Sequence, residues 1–133
     1  MATVQDQHTW GTGRRKTAVA RVRIREGTGQ FMVNGLDVNE YFPLEVQRMD
    51  VRAPLKATDM GGRIDVQVKV RGSGKLSQSG AVMLGLARAL KNHRADLEPA
   101  LRDSGFLTRD SRMVERKKFG HKKARKSFQF SKR

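Results

Sequence analysis

Between Ile64 and Arg71 the chain alternates without a break. Ile64, Val66, Val68 and Val70 fall on one parity; Asp65, Gln67, Lys69 and Arg71 fall on the other. A period of two marks a strand with one side against a core and the other against water. An earlier stretch repeats the pattern, with Ala18, Ala20, Val22 and Ile24 on one side and Thr17, Val19, Arg21, Arg23 and Arg25 on the other. Two such strands require a sheet with one apolar and one basic face, and the apolar face requires a covering layer. The chain supplies a candidate cover from about residue 78 to residue 92. There Val82, Leu86, Ala89 and Leu90, with Met83, Leu84 and Ala87 beside them, make a broad apolar stripe at helical spacing. Met83 in that stripe reads as core filler, not as a ligand.

The other elements are shorter. Residues 30–33 read as a strand ended by Asn34-Gly35 and joined to the preceding strand through the turn Gly27-Thr28-Gly29, which predicts a hairpin. Asp37 with Glu40 three residues later predicts a capped short helix stopped at Pro43. Leu44, Val46, Met49 and Val51 predict the apolar side of a second short helix, interrupted by Pro54, with Glu45, Arg48, Asp50 and Arg52 solvated. Asp96 is placed to cap a helix through Leu97, Ala100 and Leu101, with Gly105 as its stop, and residues 111–116 read as a last strand. The expected fold is α+β: a two-layer α/β sandwich on a mixed four-stranded sheet with helices on one face, plus an extended C-terminal tail. The expected organisation is a flexible leader over residues 1–10, a globular domain over 11–116 and an extended basic tail over 117–133.

Charge is concentrated at that end. Residues 111–133 hold ten Lys or Arg against one acid, Glu115, and so carry +9 of a formal net charge of +15. The tail has almost no aliphatic residue with which to offset the cost of ordering its backbone, about 1–2 kcal/mol per residue, and as a free segment it is expected to be disordered. Phe119, His121, Phe128 and Phe130 interrupt the cations. Flat side chains that stack on bases, among cations that neutralise phosphates, suit irregular or single-stranded RNA. The first strand repeats the theme with Arg14, Arg15, Lys16, Arg21, Arg23 and Arg25. Protecting a sheet edge needs one or two cations, and six exceed that purpose.

Other classes find little support. There are no cysteines, hence no disulfides, thiolate nucleophiles or thiolate metal sites. His8, His93 and His121 lie apart, without metal-ligand spacing or a paired carboxylate, so no catalytic residue, metal or cofactor is expected. The run Arg71-Gly72-Ser73-Gly74-Lys75 invites a phosphate-loop reading but lacks the spacing of nucleotide triphosphatases, leaving a strand-to-helix turn or a contact with RNA phosphate. No apolar run is long enough to span a membrane, and the polar start lacks a signal-peptide pattern, so a cytoplasmic protein is expected.

Three stretches carry a resemblance. Gly11-Thr12-Gly13-Arg14-Arg15-Lys16-Thr17, then Gly105-Phe106-Leu107-Thr108-Arg109-Asp110-Ser111-Arg112, and finally Lys123-Ala124-Arg125-Lys126 ahead of Gln129-Phe130-Ser131-Lys132-Arg133 resemble the bacterial-type family of the ninth protein of the small ribosomal subunit. The resemblance extends over residues 11–133. It implies a structural role in translation: a globular part on ribosomal RNA in the subunit head, beside neighbouring ribosomal proteins, and a tail whose end approaches the anticodon stem-loop of P-site tRNA. By matching positions, Ser131, Lys132 and Arg133 are the expected tRNA-facing residues. Arg14, Arg15, Lys16, Arg21, Arg23, Arg71, Lys75 and Arg109 are the expected ribosomal RNA contacts of the globular part. Arg112, Arg116, Lys117, Lys118, Lys122, Lys123, Arg125 and Lys126 continue them into the tail. The residues alone also admit a free-standing RNA-binding chaperone.

Overall fold

A computed structural model describes residues 8–109. Five strands form one mixed sheet in the order β1-β2-β5-β3-β4: β1 (Thr9–Arg15), β2 (Ala18–Glu26), β3 (Phe31–Val33), β4 (Leu36–Asp37) and β5 (Ile64–Arg71). Four helices accompany it: α1 (Val38–Tyr41), α2 (Glu45–Ala57), α3 (Lys75–His93) and α4 (Glu98–Asp103). The α+β class, the mixed sheet and the helical cover are as expected. The strand count is not, since β1 and β4 were not anticipated, and the expected strand over residues 111–116 lies outside the described residues.

The two alternating segments behave as their period dictates. Ala18, Ala20, Val22 and Ile24 are wholly buried, and Ile64, Val66, Val68 and Val70 are buried beside them. β2 and β5 are antiparallel neighbours, with Val22 opposite Val68 and Ala20 opposite Val70. α3 covers this apolar face with Ala81, Val82, Leu86, Ala89 and Leu90, all fully buried. Phe42, just after α1, closes the core together with Val51 of α2 and Leu101 of α4. Each large aliphatic or aromatic side chain removed from water in this way contributes about 2 kcal/mol.

The predicted hairpin between β2 and β3 does not form. β5 lies between them, antiparallel to β2 and parallel to β3. The Asp65 carboxylate of β5 fixes the crossing, accepting hydrogen bonds from the backbone N–H groups of Thr28, Gly29 and Gln30 at 3.0, 3.1 and 3.0 Å. Turn residues therefore mark the bend at Gly27-Thr28-Gly29 correctly but do not specify which strand follows alongside. The hairpins that do form are β1–β2, through Lys16-Thr17, and β3–β4, through Asn34-Gly35. Both Asn34 and Gly35 have positive φ, 51° and 82°, the backbone that a tight two-residue hairpin turn demands. Asn34 also extends the β3–β5 ladder, its side-chain amide donating to the Val70 carbonyl and accepting from the Val70 N–H at 2.9 Å each.

Three helix expectations are revised. α2 runs through Pro54 as one helix, with Pro54 in its buried face beside Val51, Leu55 and Gln47. Burial of the ring in the face that meets the core offsets the one backbone bond that proline cannot make. Leu44, Val46 and Met49 are exposed at 60–62%, so α2 is rotated about its axis relative to the orientation its hydrophobic spacing predicts. Asp96 caps nothing; it lies in a 3-10 turn (Ala95–Leu97) and forms a two-point ion pair with Arg94. The capping of α1 by Asp37, at 3.1 Å from the Asn39 N–H, is as expected. Gly105, at φ 78°, follows α4 as its predicted stop.

Candidate nucleic-acid interface

Glycines on β1 decide how the two layers meet. A Cβ on Gly13 would lie 1.9 Å from the Ala81 carbonyl oxygen and 2.3 Å from the Gly85 nitrogen. On Gly11 it would lie 2.3 Å from the Gly85 carbonyl oxygen and 2.5 Å from the Ala89 nitrogen. Strand and helix backbones thus touch along Ala81, Gly85 and Ala89, positions four apart on one face of α3. The Gly-Thr-Gly ahead of the cations is a packing strip, not a loop around an anion. Two side-chain bonds tie β1 further to α3: Arg88 Nη1 donates to the Thr12 carbonyl at 2.7 Å, and Asn92 Nδ2 to the Trp10 carbonyl at 3.1 Å.

The opposite parity of every strand faces away from the helices. Antiparallel register sets Arg14 opposite Val19, Thr12 opposite Arg21 and Trp10 opposite Arg23. It continues with Val19 opposite Arg71, Arg21 opposite Lys69, Arg23 opposite Gln67 and Arg25 opposite Asp65. Parallel register adds Met32 beside Gln67. One face of the sheet therefore collects Arg14, Arg21, Arg23, Arg25, Lys69 and Arg71. β2 is interior to the sheet, so its three arginines do not serve as edge protection.

The acids near this face are committed elsewhere. Asp65 receives the three backbone amides and lies 3.9 Å from Arg25 Nε. Its pKa is held below the ordinary 3.8, first by the Gln30 N–H, then by the Thr28 and Gly29 N–H groups and the Arg25 charge, against an opposing effect of burial. Asp37 caps α1. Among the described residues Arg14, Arg21, Lys69 and Arg71 have no carboxylate partner. Cations outnumber carboxylates on the face, which makes it strongly positive and suited to a polyanion.

The sequence-predicted contacts do not all share that face. Arg14, Arg21, Arg23 and Arg71 do. Arg15 takes the parity of Gly13 and lies against α3, where a Cβ on Gly80 would meet its Cδ at 2.5 Å. Lys16 occupies the β1–β2 turn at φ 52°. Lys75 opens α3 but folds back, its Nζ 3.1 Å from the Tyr41 carbonyl oxygen and 3.3 Å from the Tyr41 ring centroid. The Tyr41 hydroxyl donates to Gln78 Oε1 at 2.6 Å, and Gln78 Nε2 donates to the Gly72 carbonyl at 3.0 Å. The Gly72 to Lys75 loop is thereby braced from within. Gly72 also packs against the β1–β2 turn, where a Cβ would lie 2.5 Å from the Thr17 carbonyl oxygen. Arg109, the last described residue, is exposed. Arg112, Arg116, Lys117, Lys118, Lys122, Lys123, Arg125, Lys126, Ser131, Lys132 and Arg133 lie outside the described residues.

The expected ribosomal RNA contacts leave out Trp10, Met32, Gln67 and Lys69, which belong to the same face. The parity of Lys69 and Gln67 was already visible in the alternation of β5, whereas Trp10 was assigned to the leader and is the second residue of β1. Among the described residues no group of His, Asp and Glu is placed to hold a metal ion, and no helix is long and apolar enough to cross a membrane. Met83, expected in the core, is half-buried, at the rim of a shallow recess lined by Arg14, Arg15, Phe106 and Thr108.

Residues 13–133 match the family model described as Ribosomal protein S9/S16, from the second glycine of the packing strip to the last residue of the basic tail. With that match over most of its length, the chain belongs to the S9/S16 family of small-subunit ribosomal proteins.

Proposed function

We propose that this protein is a structural component of the small ribosomal subunit that binds ribosomal RNA in the subunit head through the basic sheet face, and whose C-terminal tail approaches the anticodon stem-loop of P-site tRNA during translation. The observation that carries the RNA-binding part is the segregation of charge: six cations on the face that the helices leave open, of which only Arg25 is paired with an acid among the described residues, in a chain of net charge +15. Arg presents a fork of donors to phosphate and Lys a point charge, and each contact releases condensed counterions. Arg14, Arg21, Arg23 and Arg71 are the proposed contacts of the sheet, with Arg15, Lys16, Lys75 and Arg109 at its margins. The tail part rests on family membership and on the charge of residues 111–133, with Ser131, Lys132 and Arg133 as the residues nearest tRNA.

The test uses small subunits carrying the protein truncated after Gln129. P-site tRNA affinity is measured over a salt series against intact subunits. Weaker tRNA binding with a shallower salt slope and unchanged assembly is the expected result. Unchanged tRNA binding would remove the tRNA role and leave the tail as an anchor on ribosomal RNA. Sedimentation of intact subunits in moderately high salt separates this reading from a free-standing RNA chaperone, which would wash off.

A further inference from the structure

We infer that the open sheet face holds one unpaired RNA base, stacked on Trp10 in a recess between Trp10 and Met32. This rests on the proposed RNA-binding role and adds to it a mode of recognition that phosphate contacts do not supply. The recess has a volume of about 330 Å³, at the small end of sites that take a compact ligand. Its walls come from four strands. Trp10 on β1, Arg23 on β2, Gln67 on β5 and Met32 on β3 are successive partners in register, forming one row across the sheet. Arg21 and Lys69 form the next row and open into the same recess.

The chemistry of this row fits a nucleobase. Trp10 is 52% exposed although its backbone stands on a strand tightly packed against α3, so a large indole on a fixed backbone stays half open to solvent. A flat aromatic face of that size contributes most when another flat surface covers it. Arg23 places its guanidinium carbon 5.8 Å from the indole centroid and donates from Nη2 to Gln67 Oε1, which holds both side chains along the row. With Oε1 so engaged, Gln67 retains an Nε2 donor that has no acceptor among the described residues, available to a base edge. Met32 closes the far side with a thioether, which packs well against π-systems. Arg21 and Lys69, neither with a carboxylate partner among the described residues, stand where the phosphates flanking an inserted base would run.

A base within a duplex has both its faces stacked on its neighbours. The ligand is therefore an unpaired or bulged nucleotide of a structured RNA. An apolar protein segment would cover Trp10 and Met32 but would leave Arg21 and Lys69 desolvated without anions, a cost the recess gives no means to offset.

Trp10 is the chain's single tryptophan, so fluorescence excited selectively at tryptophan, apart from Tyr41, reports on this site alone. The full-length protein is titrated with a hairpin RNA containing a one-nucleotide bulge, with the same hairpin fully paired, and with free adenosine monophosphate. Total binding is followed separately by RNA mobility. The expected result is quenching by the bulged RNA, little by the paired RNA and none by the mononucleotide. Trp10→Leu should bind the bulged RNA about tenfold more weakly with an unchanged salt slope, because stacking releases no counterions, and Trp10→Tyr should restore most of the loss. Binding of both RNAs with the expected salt slope but with no change in Trp10 fluorescence would overturn the stacking site and leave the RNA-binding role standing. Equal quenching by the paired hairpin or by the mononucleotide would likewise overturn it. Absence of any RNA binding would remove the broader role as well. The fluorescence arm uses the unmodified chain, so the outcome does not depend on the folding of a variant.

Discussion

The two faces of the sheet are built from the same strands at alternating positions, and they obey opposite rules. Toward α3 the side chains shrink to Gly11, Gly13, Ala18 and Ala20, and backbone meets backbone. Away from α3 they lengthen to Arg21, Arg23, Lys69 and Arg71. On the first face volume is limiting, because interiors are close-packed and a single extra carbon has no space. On the second face charge is limiting, and volume matters little. Substitutions one residue apart on β1 or β2 should therefore have unrelated consequences, stability on one side and RNA affinity on the other.

The largest expected effect breaks the tight face. Gly13→Val places branched carbons where even a Cβ would be 1.9 Å from a carbonyl oxygen, and it should cost about 3 kcal/mol or more, a large share of the stability of a domain this small. Thermal unfolding followed by circular dichroism checks it, with Gly61→Ala as the control, since a Cβ there meets nothing within 4 Å and the change should stay within about 0.5 kcal/mol.

The open face should respond differently. Combined Arg21→Gln, Lys69→Gln and Arg71→Gln should leave the melting temperature nearly unchanged while weakening RNA binding and reducing the salt slope by about 2–3, one counterion-releasing contact at a time. A lower melting temperature with unaltered RNA binding would reverse the assignment of the two faces.

Asp65 joins the faces, because its carboxylate stands on the open side yet organises the crossing from β2 to β3. Asp65→Ala should destabilise by about 2 kcal/mol near neutral pH, leaving three backbone N–H groups without their charged acceptor. The sign of the pH dependence follows from its lowered pKa. The carboxylate contributes fully above the unfolded-state value near 3.8, and that contribution is lost as pH falls through the lower folded-state value. The stability gap between native and variant proteins should therefore close in acid, and denaturant titrations at neutral and strongly acidic pH measure it.

Asn34→Ala is the smallest of the set. It removes the two side-chain bonds to Val70 and places alanine at φ 51°, and about 1–2 kcal/mol of destabilisation is expected with RNA binding retained. Amide hydrogen exchange at Val70 should rise selectively, a local readout that a general loss of stability would not give.

Local pattern made much of this molecule legible. Period-two alternation identified β2 and β5 and assigned every residue of each to its face, because strand geometry sends neighbouring side chains to opposite sides. The apolar stripe identified α3, three residues short at its start, since Lys75, Leu76 and Ser77 carry no periodic signal of their own. The same logic failed on α2. Leu44, Val46 and Met49 looked like its core side, yet Gln47 and Pro54 are buried and those three are not. Which side of a short helix turns inward depends on where its neighbours stand, and here packing buries Gln47, Val51, Pro54 and Leu55 instead.

The sequence by itself determined the class of this protein: the alternation that requires a two-sided sheet, the charge that requires a polyanionic partner, and the motifs that mark its family. Tertiary structure alone decided that β5 is inserted between β2 and β3, that the Gly11 and Gly13 strip meets Ala81, Gly85 and Ala89, and that Trp10, Arg23, Gln67 and Met32 fall in one row. The physical reason is range. Parity and helical period are properties of adjacent residues, whereas strand order and register are chosen by side chains far apart in the chain, once the whole core has been packed.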